Sequence, residues 1–172
     1  MRGTVVVSIA TDEKGKAMAT RGIVAHATHG GNGWRGRYVH WDNYPQRIVG
    51  VLGELVARDG RVNVAHTLCY EHASWSIIDP LAKPSEAGEP SLYEAHACVT
   101  GYGYAHTDTS LYDPSAWFTN EDTELAWCEW LYIIHDDRLE VRRITKDENG
   151  NDVAIFEKAH PWESIAIQEA TA

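Results

Sequence analysis

The chain has 172 residues, 44% of them hydrophobic, with seven Trp, eight Tyr and a net charge of −10. This composition belongs to a folded chain with a full core, read as a single domain over residues 1–172, and excludes a disordered or fibrous one. The acidity disfavours direct binding to a phosphate backbone, which needs clustered Lys and Arg.

The opening MRGTVVVSIA carries an apolar run too short for a signal core or a membrane span, so a cytoplasmic protein with no membrane contact is expected. Cys69, Cys98 and Cys128 are odd in number and lack CxxC spacing, which predicts reduced thiols with packing roles. A β-branched strand over residues 4–10, a DEKGK turn and an apolar stretch over 17–27 predict a hairpin. HGGNG at 29–33 is a loop, and residues 34–41 alternate as a third strand. Pro45 then opens a helix over 45–58, its apolar face carried by Ile48, Val51, Leu52, Leu55 and Val56, with Gly60 as the stop.

Residues 61–72 carry a helical stripe of Val62, Ala65, Cys69 and His72 after a β-rich start, and are read as a second, weaker helix. An exposed loop follows over 81–91, then an irregular, glycine-punctuated strand over 92–106, with a bulge expected at Gly103. Residues 107–124 are polar and turn-rich. The last third predicts three strands, over 125–135, 138–144 and 153–156, before Pro161 opens a terminal helical turn. The expected architecture is α+β: antiparallel sheet from N- and C-terminal meanders, packed against one main helix.

The run RGRYVHWDNYP at 35–45 is the most specific pattern in the chain. It resembles the "HWDGYP" signature of an uncharacterised family of small phage, plasmid and actinobacterial proteins. The likeness extends to the helix after the proline and to EWLYIIHDDRLEV near the C-terminus, while residues 73–124 depart from it. Asn43 stands where that family has glycine, a substitution that the tolerance of Asn for the left-handed conformation would accommodate. The family has no established activity; the resemblance implies only a phage or mobile-element setting.

Several groups are candidates for chemistry. His40, Asp42 and Tyr44 alternate, and would share a face for acid–base work if the strand continued through them. In the structural reading of the same residues, Asp42 caps the helix and Tyr44 packs against its first turn. His66, Cys69 and His72 form an i, i+3, i+6 ladder that could hold zinc, although no established zinc motif surrounds them. His26 and His29 flank a turn, and His96 and Cys98 share a strand face. Tyr102, Tyr104, His106 and Asp108 alternate into a possible aromatic wall for a small ligand or nucleobase. Among the tryptophans near 117–162, Trp127 and Trp130 oppose each other if their segment is a strand, exposing one of them as a partner surface.

The combined expectation is a non-catalytic binding or interaction protein, with no cofactor. It would serve as a phage or mobile-element accessory protein acting on a host protein, on a second copy of itself or on a small ligand. The alternative is a small hydrolase or nucleotide-processing enzyme built on His40 and Asp42, with zinc as its metal.

Overall fold

The computed structural model describes residues 20–85, 96–106 and 117–165. The strand predicted over 4–10, residues 86–91 of the loop predicted over 81–91, and Asp108 lie outside them. The elements run β1 (Gly22–Ala27), β2 (Trp34–Val39), α1 (Pro45–Asp59), α2 (Arg61–His66), a π-helical turn (Thr67–Glu71), then β3 (Ser74–Ile78), β4 (His96–Val99), β5 (Gly103–His106), β6 (Phe118–Thr119), β7 (Trp130–Ile134), β8 (Arg138–Lys146) and β9 (Asp152–Pro161).

The described strands form one nine-stranded sheet in the order β4-β5-β3-β2-β1-β7-β8-β9, with β6 beside the start of β2. The sheet is mixed. β1 pairs parallel with β7, and β2 pairs parallel with β3, while the remaining pairs are antiparallel. The N- and C-terminal strands therefore join edge to edge through β1 and β7. Those two strands lie at the centre with both faces covered, so GIVAHA and WLYII read as near-continuous apolar runs rather than as alternation.

The expectation of one main helix does not hold. α1 ends at Gly60, whose φ of 80° suits glycine and whose N–H bonds to the Val56 carbonyl, but helical structure resumes at once through α2 and the π-helical turn. The three together make the crossover from β2 to the parallel strand β3. The β-rich character of RVNV is overridden because Val64, Ala65 and Leu68 are buried in the same apolar cluster as Ile48, Leu52 and Leu55 of α1.

Strand alternation divides the core in two. Val24, Val39, Trp75, Tyr132, Ile134 and Val141 meet the helices on one face. Ile23, Ala25, Trp34, Tyr38, Leu131 and Ile133 form the second cluster, closed by Leu125, Cys128 and Ile144. The bulge expected at Gly103 lies instead in its partner strand, between Trp75 and Ile77. Gly103 meets a different demand: its φ is 144°, and a Cβ there would sit 2.2 Å from the Ile77 carbonyl oxygen.

Candidate functional site

The signature residues build a structural corner. β2 ends at Val39, and Asp42 takes φ 58°, which breaks the strand geometry that would have aligned His40, Asp42 and Tyr44. The residue in the left-handed region is Asp42, not Asn43. Asn43 is fully buried, and its side-chain amide donates to the carbonyls of Thr20, Val39 and Trp41 at 3.0–3.1 Å. Its own carbonyl accepts the Tyr132 hydroxyl, tying the corner to β7. Nor does Asp42 cap α1: the N-cap is Tyr44, with no side-chain capping bond, and Pro45 opens the helix as expected. His40 turns to Tyr38, with Nδ1 2.7 Å from that hydroxyl, and packs edge-on against Trp41.

The zinc ladder does not assemble. The π-helical turn shifts the helical phase, placing Cys69 at 0% exposure, its thiol directed at the Val24 carbonyl at 3.5 Å. Burial pushes that thiol up to about 12, so it stays protonated. His66 faces solvent beside Glu71, and His72 lies beyond the turn, edge-on against Trp75. Among the described residues no group of three or more His, Cys, Asp or Glu is arranged to hold a metal ion.

The glycine-tyrosine run also divides. Tyr102 lies in the β4–β5 turn and donates to Asp59 Oδ2 at 2.5 Å, with Arg58 bonding both Asp59 and the Gly101 carbonyl. Arg58 and Tyr102 together hold the Asp59 carboxyl at about 2. Tyr104 donates to the Lys83 carbonyl, and His106 Nδ1 lies 2.9 Å from Ser74 Oγ. The register sets Tyr38 beside Ser74, and the hydrogen bond joins Ser74 to His106, so these three adjoin on the face away from the helices, where Tyr38 packs.

The arrangement best suited to a ligand lies elsewhere, at the carboxyl ends of the parallel strands β1 and β7. There the chain opens a cleft of about 750 Å³, within the range of small-molecule sites. The HGGNG loop and the His135–Asp136–Asp137 turn form two of its sides, and Val62 and Tyr70 form the third. Gly30 and Gly31, at φ 93° and 74°, let the loop fold tightly at the rim.

Tyr70 is the centre of this site. The π-helical turn directs it outward at 44% exposure, its hydroxyl 3.2 Å from His26 Nδ1. Its ring stacks on His66 at 6.1 Å and packs on Trp117 at 5.0 Å, and Trp117 in turn covers the buried Arg37 guanidinium at 3.7 Å. Burial lowers the pKa of His26, with Asp136 opposing and Arg61 adding to the effect, so the ring is neutral at pH 7. The carboxylates are engaged: Arg61 bonds Asp136 at 3.1 Å and Arg138 bonds Asp137 at 2.8 Å. Exposed Arg35 adds a cation at the rim.

Behind the cleft, Glu140 is buried and held by Arg142 at 2.6 Å and Arg138 at 3.6 Å. His135 Nε2 lies 3.0 Å from Glu140 Oε2 but is not aligned for a hydrogen bond. Burial opposes ionisation of Glu140, yet Arg142, His135 and Arg138 together hold its carboxyl below the usual range.

Of the cleft residues, only His26 and His29 stand among the sequence's candidates for chemistry. Tyr70 and Arg35 do not, although Arg35 opens the 35–45 run, because no local pattern announces a π-helical turn or the pairing of strands more than a hundred residues apart. Comparison with family models, with curated proteins and with solved structures gives no match. No helix among the described residues is long and apolar enough to cross a membrane.

Proposed function

We propose that the protein acts by binding rather than by catalysis, and that it holds a small planar ligand bearing an acidic group in the cleft at the ends of β1 and β7. The carrying observation is Tyr70, half exposed over a 750 Å³ cleft and fixed between His26, His66 and Trp117. A ring held by neighbours on several sides loses little freedom when a ligand stacks on it, which favours binding. Arg35 supplies the charge that selects an acidic substituent. We carry forward the setting that the signature implies, an accessory protein of a phage or mobile element.

The test is a screen of planar aromatic acids by two-dimensional NMR. Hits should move signals of His26, Tyr70 and Arg35, and both Tyr70→Ala and Arg35→Ala should weaken them while leaving the fold intact. Hits indifferent to both substitutions, or no hits at all, reject the reading.

One observation favours a hydrolase instead, the hydrogen bond between Ser74 Oγ and His106 Nδ1 at 2.9 Å, which resembles a nucleophile with its base. Ser74 is only 1% exposed, closed to substrate in this conformation. A fluorophosphonate probe should therefore leave Ser74 unmodified by mass spectrometry. An adduct on that residue would shift the assignment to a serine hydrolase.

A further inference from the structure

A second surface stands apart from the cleft. Residues 125–128 form a two-residue turn closed by the Cys128 N–H on the Leu125 carbonyl at 2.9 Å, with Ala126 at φ 52° and Trp127 at φ 54°. Two consecutive left-handed residues, neither of them Gly, Asn or Asp, are a costly way to make this turn. Leu125 and Cys128 on either side are buried in the core, whereas Trp127 is 83% exposed. The strained turn therefore holds a tryptophan out in solvent between two anchored neighbours. Such an outlier is a reason to ask what the exposed ring meets.

Beside the indole lies a pocket of about 280 Å³, lined by Thr123, Glu124, Lys146, Asn151 and Asp152 along with Trp127. Its walls are fixed before any ligand arrives. Asp152 accepts the Leu125 N–H at 2.7 Å, donates its own N–H to Thr123 and pairs with Lys146 at 2.7 Å. Asp147 accepts the N–H groups of Asn149 and Asn151 and so locks the β8–β9 turn. The Lys146–Asp152 pair neutralises those two charges and leaves the exposed Glu124 carboxylate as the remaining charge of the lining, which disfavours an anion. What remains is a mixture of hydroxyl, amide and carboxylate groups beside a flat apolar ring.

We propose that this surface is a carbohydrate-binding site. A pyranose has one face of C–H groups that suits the indole, and a rim of hydroxyls that both donate and accept, matching the mixed polar wall. The pocket volume of about 280 Å³ suits one or two sugar rings. This site is independent of the cleft reading and stands or falls separately.

The experiment is titration of ¹⁵N-labelled protein with neutral tetrasaccharides of glucose, mannose and N-acetylglucosamine, followed at the indole and backbone N–H signals. At least one sugar should produce saturable shifts at Trp127 and residues 146–152, and Trp127→Ala should weaken binding by roughly tenfold or more. A parallel titration with tetramethylammonium separates sugar recognition from cation–π binding. Saturable binding of the cation without any sugar, the absence of shifts with every sugar, or shifts unaffected by Trp127→Ala would each overturn the proposal. Because Trp127 is exposed, the variant should fold, and its unchanged spectrum elsewhere serves as the control.

Discussion

Asn43 shows how one side chain can hold a corner. Its buried amide serves three backbone carbonyls; that of Thr20 also accepts the Asn43 backbone N–H, so Asn43→Ala takes the side-chain donor chiefly from the Val39 and Trp41 carbonyls. The expected cost is about 3 kcal/mol, read as a lower midpoint in urea unfolding. A loss below about 1 kcal/mol would mean that the carbonyls find other donors. Ala126 makes a prediction of opposite sign. Its left-handed φ suits glycine, so Ala126→Gly should stabilise the fold by about 0.5–1 kcal/mol despite the added freedom of the unfolded chain. Destabilisation instead would show that the turn is not left-handed in solution. Residue identity at 42–43 was legible, but its use was not: the tolerance of Asn for positive φ pointed to Asn43, whereas the Asn43 amide is buried against the Thr20, Val39 and Trp41 carbonyls and the positive φ falls at Asp42.

At the scale of elements, the clearest sequence signal was α1, and it formed as read. Ile48, Leu52 and Leu55 are fully buried, with Val51 and Val56 beside them, because a 3.6-residue period over four turns has one stable solution against a sheet. The next helix shows the limit of periodicity. A regular helix over 61–72 would set His66, Cys69 and His72 near one face, but the π-helical turn rotates them apart and directs Tyr70 into the cleft. The β3–β5 pair gives a test at this level. A methyl group at position 103 would press on the Ile77 carbonyl at 2.2 Å with φ already at 144°, so Gly103→Ala should cost about 3 kcal/mol or more. Loss of amide-exchange protection should concentrate in β3, β4 and β5. Uniform protection across the sheet would show that the pair absorbs the methyl without parting.

Taken whole, the molecule should be sensitive to acid in two steps. His26, His72, His135 and His160 all lie below the ordinary value of 6.5, with burial the largest cause at each. A histidine with a lowered folded pKa is protonated more readily when unfolded, so stability falls as the pH drops below 6.5 toward the folded value. Asp59, Glu140, Asp147 and Asp152 are shifted in the same direction and with the same consequence at lower pH: their folded pKa values are depressed, so their stabilisation is complete above the ordinary 3.8–4.5 and is lost as the pH falls through the folded values. The melting temperature at fixed ionic strength should decline gently from about pH 6.5 and steeply below about pH 4.5. A flat profile between pH 7 and 5 would mean that the histidines are not buried as described.

The sequence by itself determined the local elements: the Pro45 helix and its glycine stop, the β7–β8 and β8–β9 hairpins with their acidic turns, and the aromatic, apolar character of the central strands. Each of these depends on residues within a few turns or one hairpin, where propensity and period act directly. Only the tertiary structure decided that β1 pairs parallel with β7 and that β2 pairs parallel with β3, because such pairings are set by burial on both faces and not by any neighbouring residue. The same long-range pairing brings His26 to His135 and the π-helical turn to both, and so creates the cleft. Trp127 belongs to each account: the sequence showed that a tryptophan there could be exposed, and the burial of Leu125 and Cys128 on either side fixed which one.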